Sequence, residues 1–155
     1  EPLFKKRYAA ISGVEENVSV WYQSQLLEEE FGKLLENAAT QDRMAQFSTV
    51  GIHKDDLVFQ IDGYPIKKFG SQGQRKSLLI ALKLAQFDVL KQITTVTPLL
   101  LLDDIFDKLD EERVSKIISL VHESSFGQLF ITDTHPERTE AVIKKTEQAF
   151  QLHHL

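Results

Sequence analysis

The chain contains no cysteine, so neither a disulfide bond nor a thiolate metal site can form. It also has no apolar run near the roughly 20 residues that a membrane-spanning helix needs. The apolar run at residues 98–102 has only the length of a strand. A signal peptide is not expected, because Lys5, Lys6 and Arg7 lie where its apolar core would be. These absences are compatible with a cytoplasmic protein that does not contact a membrane.

Positive charge is also scarce, since the net charge is −5. An acidic balance disfavours a main nucleic-acid-binding surface, which usually carries a basic face. One basic cluster lies near an informative motif and consists of Lys67, Lys68, Arg75 and Lys76. It fits either a local basic patch or a solvated helix face. The hydrophobic fraction of 42% is ordinary for a globular domain with a core.

In the first half, alternating apolar residues and turn residues predict strands, and apolar residues at three- and four-residue steps predict a helix. The predicted elements are a strand Val18–Tyr22, a helix from Ser24 to about Gln46, and strands Leu57–Ile61 and Tyr64–Phe69 around an Asp62-Gly63 turn. No helix or strand is predicted for residues 1–17.

In the second half, strands alternate with helices, which is typical of an α/β layer with a parallel sheet. The predicted elements are a helix from Arg75 to about Ile93, a buried strand Pro98–Leu102, a helix capped by Asp110, a strand Gln128–Thr132, a helix from Pro136 to about Glu147, and a closing strand Ala149–His153. Ligands of such sheets bind beyond the carboxyl ends of the strands. Asp103, Asp104 and Asp133 are expected at that edge.

The most informative motif is an apolar strand that ends in two adjacent acids, Asp103 and Asp104. A rigid strand can hold one carboxylate beside Mg²⁺ and bound phosphates, while the next acid polarises an attacking water. The alternative is an ordinary parallel strand that happens to end in aspartate.

A second motif, Ser71-Gln72-Gly73-Gln74, precedes the longest predicted helix. Free N–H groups and the positive end of a helix can bind an anion there. A serine N-cap after a glycine is the simpler alternative. Two further motifs are weaker. Taken alone, residues 106–110 indicate a helix start with an aspartate cap, and residues 130–135 indicate a strand that ends in polar residues.

Together and in this order, the four motifs resemble the C-terminal half of an ABC-type ATPase head. Residues 70–85 resemble the signature helix of the RecF family, and 127–132 resemble a strand of that family. Residues 49–57 resemble a segment that usually reads G-P-H-R-D-D, with Ile52 in place of the proline and Lys54 in place of the arginine. The resemblance extends from about Glu1 to Phe150.

The resemblance implies the C-terminal portion of an ABC-type P-loop NTPase head, with a mostly parallel sheet flanked by helices and a small helical segment. Residues 1–48 would form a strand plus a helical lobe segment, and 49–155 the C-terminal lobe. No G-x-x-x-x-G-K-[ST] loop is present, since 73–77 lacks the glycine before the lysine. The Walker A half is therefore expected outside this chain, and the isolated chain is expected to bind ATP weakly without hydrolysing it.

The resemblance also implies roles for individual residues. The signature motif would contact the γ-phosphate of ATP bound to the opposite subunit, Asp103 would hold Mg²⁺ through water, and Asp104 would be the catalytic acid. Most ABC ATPases have a longer glutamate at the Asp104 position. The D-loop residues would be Asp107, Leu109 and Asp110, and the switch region would be Thr132, Asp133 and Thr134. His135 lies one or two residues beyond the place of the switch histidine and receives no role.

The function implied is that of an ATP-dependent, DNA-binding protein of DNA replication, recombinational gap repair and the SOS response. Its expected cofactors are ATP and Mg²⁺. Its expected partners are DNA at single-strand/double-strand junctions, a second copy of itself and recombination mediator proteins. Three alternatives stay open: an SMC-like head, which the lack of sustained heptads disfavours; a metal-dependent hydrolase using Asp103, Asp104 and Asp107; and a purely structural interaction domain.

Overall fold

The computed structural model describes residues 1–94, 96–104, 109–123, 126–144 and 149–153. The first half places a helix before an antiparallel sheet of order β1-β2-β3, with a second helix between the first two strands. Its elements are α1 (Pro2–Ser12), β1 (Val18–Gln23), a 3-10 turn (Gln25–Leu27), α2 (Phe31–Ala45), a second 3-10 turn (Ile52–Lys54), β2 (Asp56–Ile61) and β3 (Tyr64–Pro65).

The second half alternates helices with two parallel strands that pair directly with each other. Its elements are α3 (Ile66–Phe69), α4 (Gln72–Ile93), β4 (Leu100–Asp103), α5 (Glu111–Glu123), β5 (Leu129–Thr132) and α6 (Pro136–Lys144). The α/β class and the parallel arrangement of these two strands agree with the sequence-based prediction.

The core forms where α1 packs against α4 and α5. Tyr8 and Ile11 of α1 are fully buried there, as are Leu84 of α4 and Ile117 of α5. The apolar stripe of α5, which has the helical spacing i, i+3, i+4, i+7, is buried as well: Val114, Ile117, Ile118 and Val121. Burial of such side chains contributes roughly 1.5–3 kcal/mol each, so α1 is an integral part of the fold.

The predicted hairpin turn is confirmed, because Asp62 and Gly63 both have positive φ angles, 50° and 82°. The predicted return strand is wrong beyond Pro65. Proline cannot donate to a strand ladder, and the chain turns into α3 as the Ile66 side chain becomes buried. The helix predicted from Ser24 begins only at Phe31, because Ser24 caps the preceding 3-10 turn.

Three further expectations are corrected. Helix α1 was missed, although Pro2 in its first turn and Gly13, with φ 67°, mark its two ends. Residues 149–153 form no strand; they are exposed and have no described strand to pair with. Strand β4 is buried on one face only. Leu101 on the other face is 70% exposed, because no described element packs against it.

Candidate functional site

The predicted signature motif lies at the start of α4, where Ser71 is the N-cap. The Ser71 Oγ accepts a hydrogen bond from the Gln74 backbone N–H at 3.1 Å. The Gln74 side-chain oxygen accepts one from the Ser71 backbone N–H at 2.8 Å. This reciprocal capping box fixes the helix start.

The capping box leaves hydrogen-bond donors available at the same end of the helix. Gln72 and Gly73 occupy the first two helical positions, where the N–H groups have no intrahelical partner. The Ser71 hydroxyl uses one lone pair for capping and keeps its proton for donation. Ser71 and Gln72 are exposed. This arrangement suits an anion, because the donors coincide with the positive end of a 22-residue helix.

The two predicted acids lie at the carboxyl end of the parallel sheet. Asp103 is paired with Thr132 in the register, and the Thr132 hydroxyl donates to Asp103 Oδ1. The Asp104 backbone N–H donates to the Thr132 carbonyl at 3.1 Å. Asp104 has a φ of 48°, an uncommon conformation for a non-glycine residue. Regular strand backbone therefore ends before the second acid, and both acids are exposed.

One side chain connects the helix start with the acids, since the Lys76 ammonium donates to the Asp104 carbonyl. Lys76 follows Ser71 by five residues, which corresponds to about 7.5 Å along a helix axis. The signature motif and the acids are thus held on neighbouring elements.

The basic cluster expected around Lys76 does not form one patch. Lys67 pairs with Asp56 at 2.5 Å, and this hydrogen bond keeps the pKa of the exposed Asp56 carboxyl below its usual range. Hydrogen bonds from Thr49 lower the pKa of the exposed Asp42 carboxyl in the same way. The Arg75 guanidinium donates to the Ile66 carbonyl at 3.2 Å. Lys76 donates to the Asp104 carbonyl, and the Lys68 ammonium lies 5.2 Å from the centre of the Phe69 ring. The four cations thus have separate local partners, so the solvated-face alternative fits better than a shared basic patch.

The donor set around Asp103 suits Mg²⁺, which prefers oxygen ligands and is usually held by one or two carboxylates together with phosphates and waters. The Thr132 hydroxyl donates to one Asp103 oxygen, and the side chains of both Asp103 and Asp104 are exposed. The described residues contain no group of three or more His, Asp or Glu arranged to hold a metal alone. The metal-dependent hydrolase alternative requires Asp107, which lies outside the described residues.

The predicted D-loop is described only at its end. Asp107 lies outside the described residues, Leu109 is 6% exposed, and Asp110 caps α5. The Asp110 Oδ1 accepts from the Arg113 backbone N–H at 2.9 Å. Leu109 therefore packs in the core, and Asp110 begins α5.

The predicted switch residues divide between two tasks. Thr132 binds Asp103, whereas Asp133 accepts from the Thr134 N–H at 2.8 Å and from the Thr139 hydroxyl at 2.6 Å. Asp133 thus organises the entry to α6. Thr134 and His135 are exposed at the same edge.

Sequence reasoning missed Glu16, which precedes β1 and contacts the signature motif. Its Oε1 accepts from Gln74 Nε2 at 2.8 Å across a separation of 58 residues. Its Oε2 accepts from the hydroxyl of Tyr8, and burial, followed by this hydrogen bond, raises the pKa of Tyr8 above its ordinary value. No spacing or composition signal links residues so far apart in the chain.

The α/β layer, which carries the predicted signature helix and the two-acid strand, has the fold of part of an ABC-type ATPase head. Solved RecF structures share this fold. The recombination mediator protein RecF-ATPrS in the RecFOR pathway matches with a TM-score of 0.66 and 25% identity, over 86% of this chain and 38% of that chain. The corresponding RecF-ATP structure matches with a TM-score of 0.65 and 27% identity, over the same shares.

The sequence relatives are RecF proteins, and the chain matches a C-terminal part of them. It is 56% identical to the DNA replication and repair protein RecF of Flavobacterium johnsoniae over 99% of this chain and 43% of the relative. It is 46% identical to that of Phocaeicola vulgatus, over 97% of this chain and 41% of the relative. The resemblance predicted from the sequence is confirmed, and the chain spans about two fifths of these relatives.

No family model matches the chain. Within the described ranges, none of the helices has the length and apolar character required to cross a bilayer.

Proposed function

We propose that this chain is the C-terminal part of a RecF-like ATPase head, in which residues 49–155 form the lobe with the motifs and 1–48 an adjoining lobe segment. The observation that carries the proposal is the contact between Lys76 and Asp104, which holds the signature helix beside the two acids. The 56% sequence identity to a RecF protein, which extends over 99% of this chain, supports the proposal.

In this proposal, the donors of the signature motif act on ATP bound to a second head. Ser71, Gln72 and Gly73 offer a hydroxyl and two N–H groups outward from one helix end, and Gln74 holds that end in shape. ATP would drive dimerisation, because the phosphates of ATP bound to one head carry the negative charge that the donors of the other head bind.

The acids act on the nucleotide of their own head. Asp103, oriented by Thr132, would hold Mg²⁺ through water, and the ion would neutralise charge on the phosphates. Asp104 would accept a proton from the attacking water. Its side chain is one methylene shorter than glutamate, so slow hydrolysis is expected. Asp107, Leu109 and Asp110 would form the D-loop at the dimer interface, and Thr132, Asp133 and Thr134 the switch region.

The exposed face of the parallel sheet supports a missing Walker A half. Leu101 and Phe130 are paired in register and are 70% and 48% exposed. Parallel sheets are normally covered on both faces. Because the relatives are more than twice as long as this chain, the Walker A half is proposed to cover this face.

The whole protein is proposed to bind DNA at single-strand/double-strand junctions and to work with recombination mediator proteins. Gap repair and the SOS response are the processes in which it would act. The relatives' names, DNA replication and repair protein and recombination mediator, support this role.

Asparagine substitutions at the two acids in the full-length protein test the proposal. Asp104→Asn is expected to lower ATP turnover by about 100-fold or more while ATP binding and dimerisation persist, since only the proton acceptor is lost. Asp103→Asn is expected to weaken Mg²⁺-dependent ATP binding as well. Turnover and nucleotide binding are measured for both, with the exposed Glu29→Gln as a control.

Two outcomes would contradict the proposal. Unchanged turnover in Asp103→Asn would favour a structural domain. Metal-dependent cleavage of phosphodiesters without nucleotide would favour the hydrolase alternative.

A further inference from the structure

Glu16 lies in the loop between α1 and β1, yet its side chain reaches the start of α4. Both carboxylate oxygens are engaged: Oε1 by Gln74 Nε2 at 2.8 Å and Oε2 by the Tyr8 hydroxyl at 2.5 Å. Tyr8 is fully buried in the core between α1 and its neighbours. The buried Tyr8 hydroxyl therefore fixes the position of the Glu16 carboxylate, and the carboxylate in turn fixes the Gln74 side chain.

Gln74 transmits this constraint to the signature motif. Its amide nitrogen donates to Glu16, and its amide oxygen accepts from the Ser71 N–H at 2.8 Å. Fixing both ends of the amide selects one rotamer of a side chain with three rotatable bonds, an ordering that otherwise costs up to about 2 kcal/mol. A continuous chain of hydrogen bonds thus runs from buried Tyr8 to exposed Ser71.

We propose that Glu16 is a positioning residue for the signature motif, acting through Gln74; this inference rests on the proposed function. The Glu16 carboxylate does not itself contact phosphate, which it would repel. Instead it orients Gln74 so that the Ser71 N–H is occupied and the Ser71 hydroxyl faces outward as a donor. Without the Glu16 carboxylate, the Gln74 side chain is free to rotate. The capping box then keeps only the hydrogen bond from the Gln74 backbone N–H to Ser71 Oγ.

Substitution of Glu16 in the full-length protein tests the proposal. Glu16→Ala is expected to lower kcat for ATP about tenfold or more, the equivalent of one charge-assisted hydrogen bond. The KM for ATP and the ATP affinity of the monomer are expected to stay within about twofold, because the nucleotide of the same head does not touch this motif. The matched control is Glu15→Ala, which removes an exposed neighbouring glutamate of the same charge.

Two conservative variants keep the test valid if the alanine variant is unstable. Glu16→Gln retains an oxygen acceptor for Gln74 and is expected to keep kcat within about threefold. Glu16→Asp retains the charge but is too short to reach both partners, so its kcat is expected to fall as in Glu16→Ala. The midpoint of thermal unfolding shows whether each variant is folded.

A double-mutant cycle separates positioning from a general effect. If Glu16 acts through Gln74, Glu16→Ala causes no further loss of kcat beyond about twofold in a Gln74→Ala background. An equal further loss there, or a kcat for Glu16→Ala equal to that of Glu15→Ala, would overturn the proposal.

Ser71→Ala distinguishes failure of this inference from failure of the proposed function. If Ser71→Ala keeps full turnover, the signature role itself is wrong. If Ser71→Ala loses turnover while Glu16→Ala does not, only the positioning role of Glu16 is wrong.

Discussion

At the scale of single residues, Gly70 shows how closely the start of α4 is packed. A Cβ atom at Gly70 would lie 2.4 Å from the Ile66 Cγ1 and 2.8 Å from the Ile66 carbonyl oxygen. Its φ of −70° is open to any residue, so space rather than backbone conformation requires glycine. Ile66 is buried and its backbone carbonyl cannot move freely.

Gly70→Ala is therefore expected to destabilise the fold by about 1–3 kcal/mol through overpacking beside the signature motif. The free energy of unfolding from a urea titration measures the change. Gly32→Ala is the matched control, because a Cβ there meets only the Glu30 side chain at 3.7 Å. It lies in α2 and is expected to leave stability unchanged or raise it by up to about 1 kcal/mol. Equal stability of the two variants would contradict this account of Gly70.

The motif residues could be found from the sequence because their chemistry depends on neighbours in the chain. Ser71 and Gln74 form a capping box across three residues, and Asp103 follows its own strand. Glu16 and Lys76 could not be assigned, since their partners are 58 and 28 residues away. Such contacts depend on tertiary packing, which no local pattern encodes.

At the scale of elements, α1 is attached to α4 by a buried ion pair as well as by apolar contacts. The Arg7 Nε and Nη2 donate to the two Asp88 oxygens at 2.7 and 2.6 Å. The two side chains are only 11% and 17% exposed, and two-point contact fixes their geometry. This pair sets where α1 lies on α4, and α1 in turn leads into Glu16.

Arg7→Ala is expected to lower the free energy of unfolding by about 2–3 kcal/mol, because Asp88 would keep a largely buried charge without this partner. The neighbouring Lys6→Ala, at an exposed position, is expected to stay within about 0.5 kcal/mol of the parent. Chemical denaturation of both variants gives the comparison. A loss below about 0.5 kcal/mol in Arg7→Ala would show that the apolar contacts alone position α1.

Elements with strong periodicity or turn residues could be predicted, whereas ends and pairing partners could not. The stripe of α5 and the Asp62-Gly63 hairpin follow local rules. Helix α1 carried a usable signal, since Phe4, Tyr8 and Ile11 share one face, but the charged residues between them obscured it. The return strand stopped at Pro65 because burial of Ile66 outweighed local strand propensity.

At the scale of the whole molecule, the proposed function assigns the two motifs to different nucleotides. Within one chain, Lys76 holds the signature helix beside the acids of its own head, while the donors at Ser71 point outward from the exposed helix end. A two-fold dimer would then build each site from the acids of one head and the signature motif of the other. The exposed face at Leu101 is a separate surface, which the remainder of a head would cover.

Mixing two inactive full-length variants, Ser71→Ala and Asp103→Asn, tests this shared site most directly. Each variant alone damages every site of its own dimer, whereas a mixed dimer contains one site with both halves intact. If the sites act independently, an equal mixture is expected to recover about a quarter of the parent ATP turnover, since half of the dimers are mixed and half of their sites are whole. Turnover no higher than that of either variant alone, with dimers formed in both, would contradict a site shared between two heads.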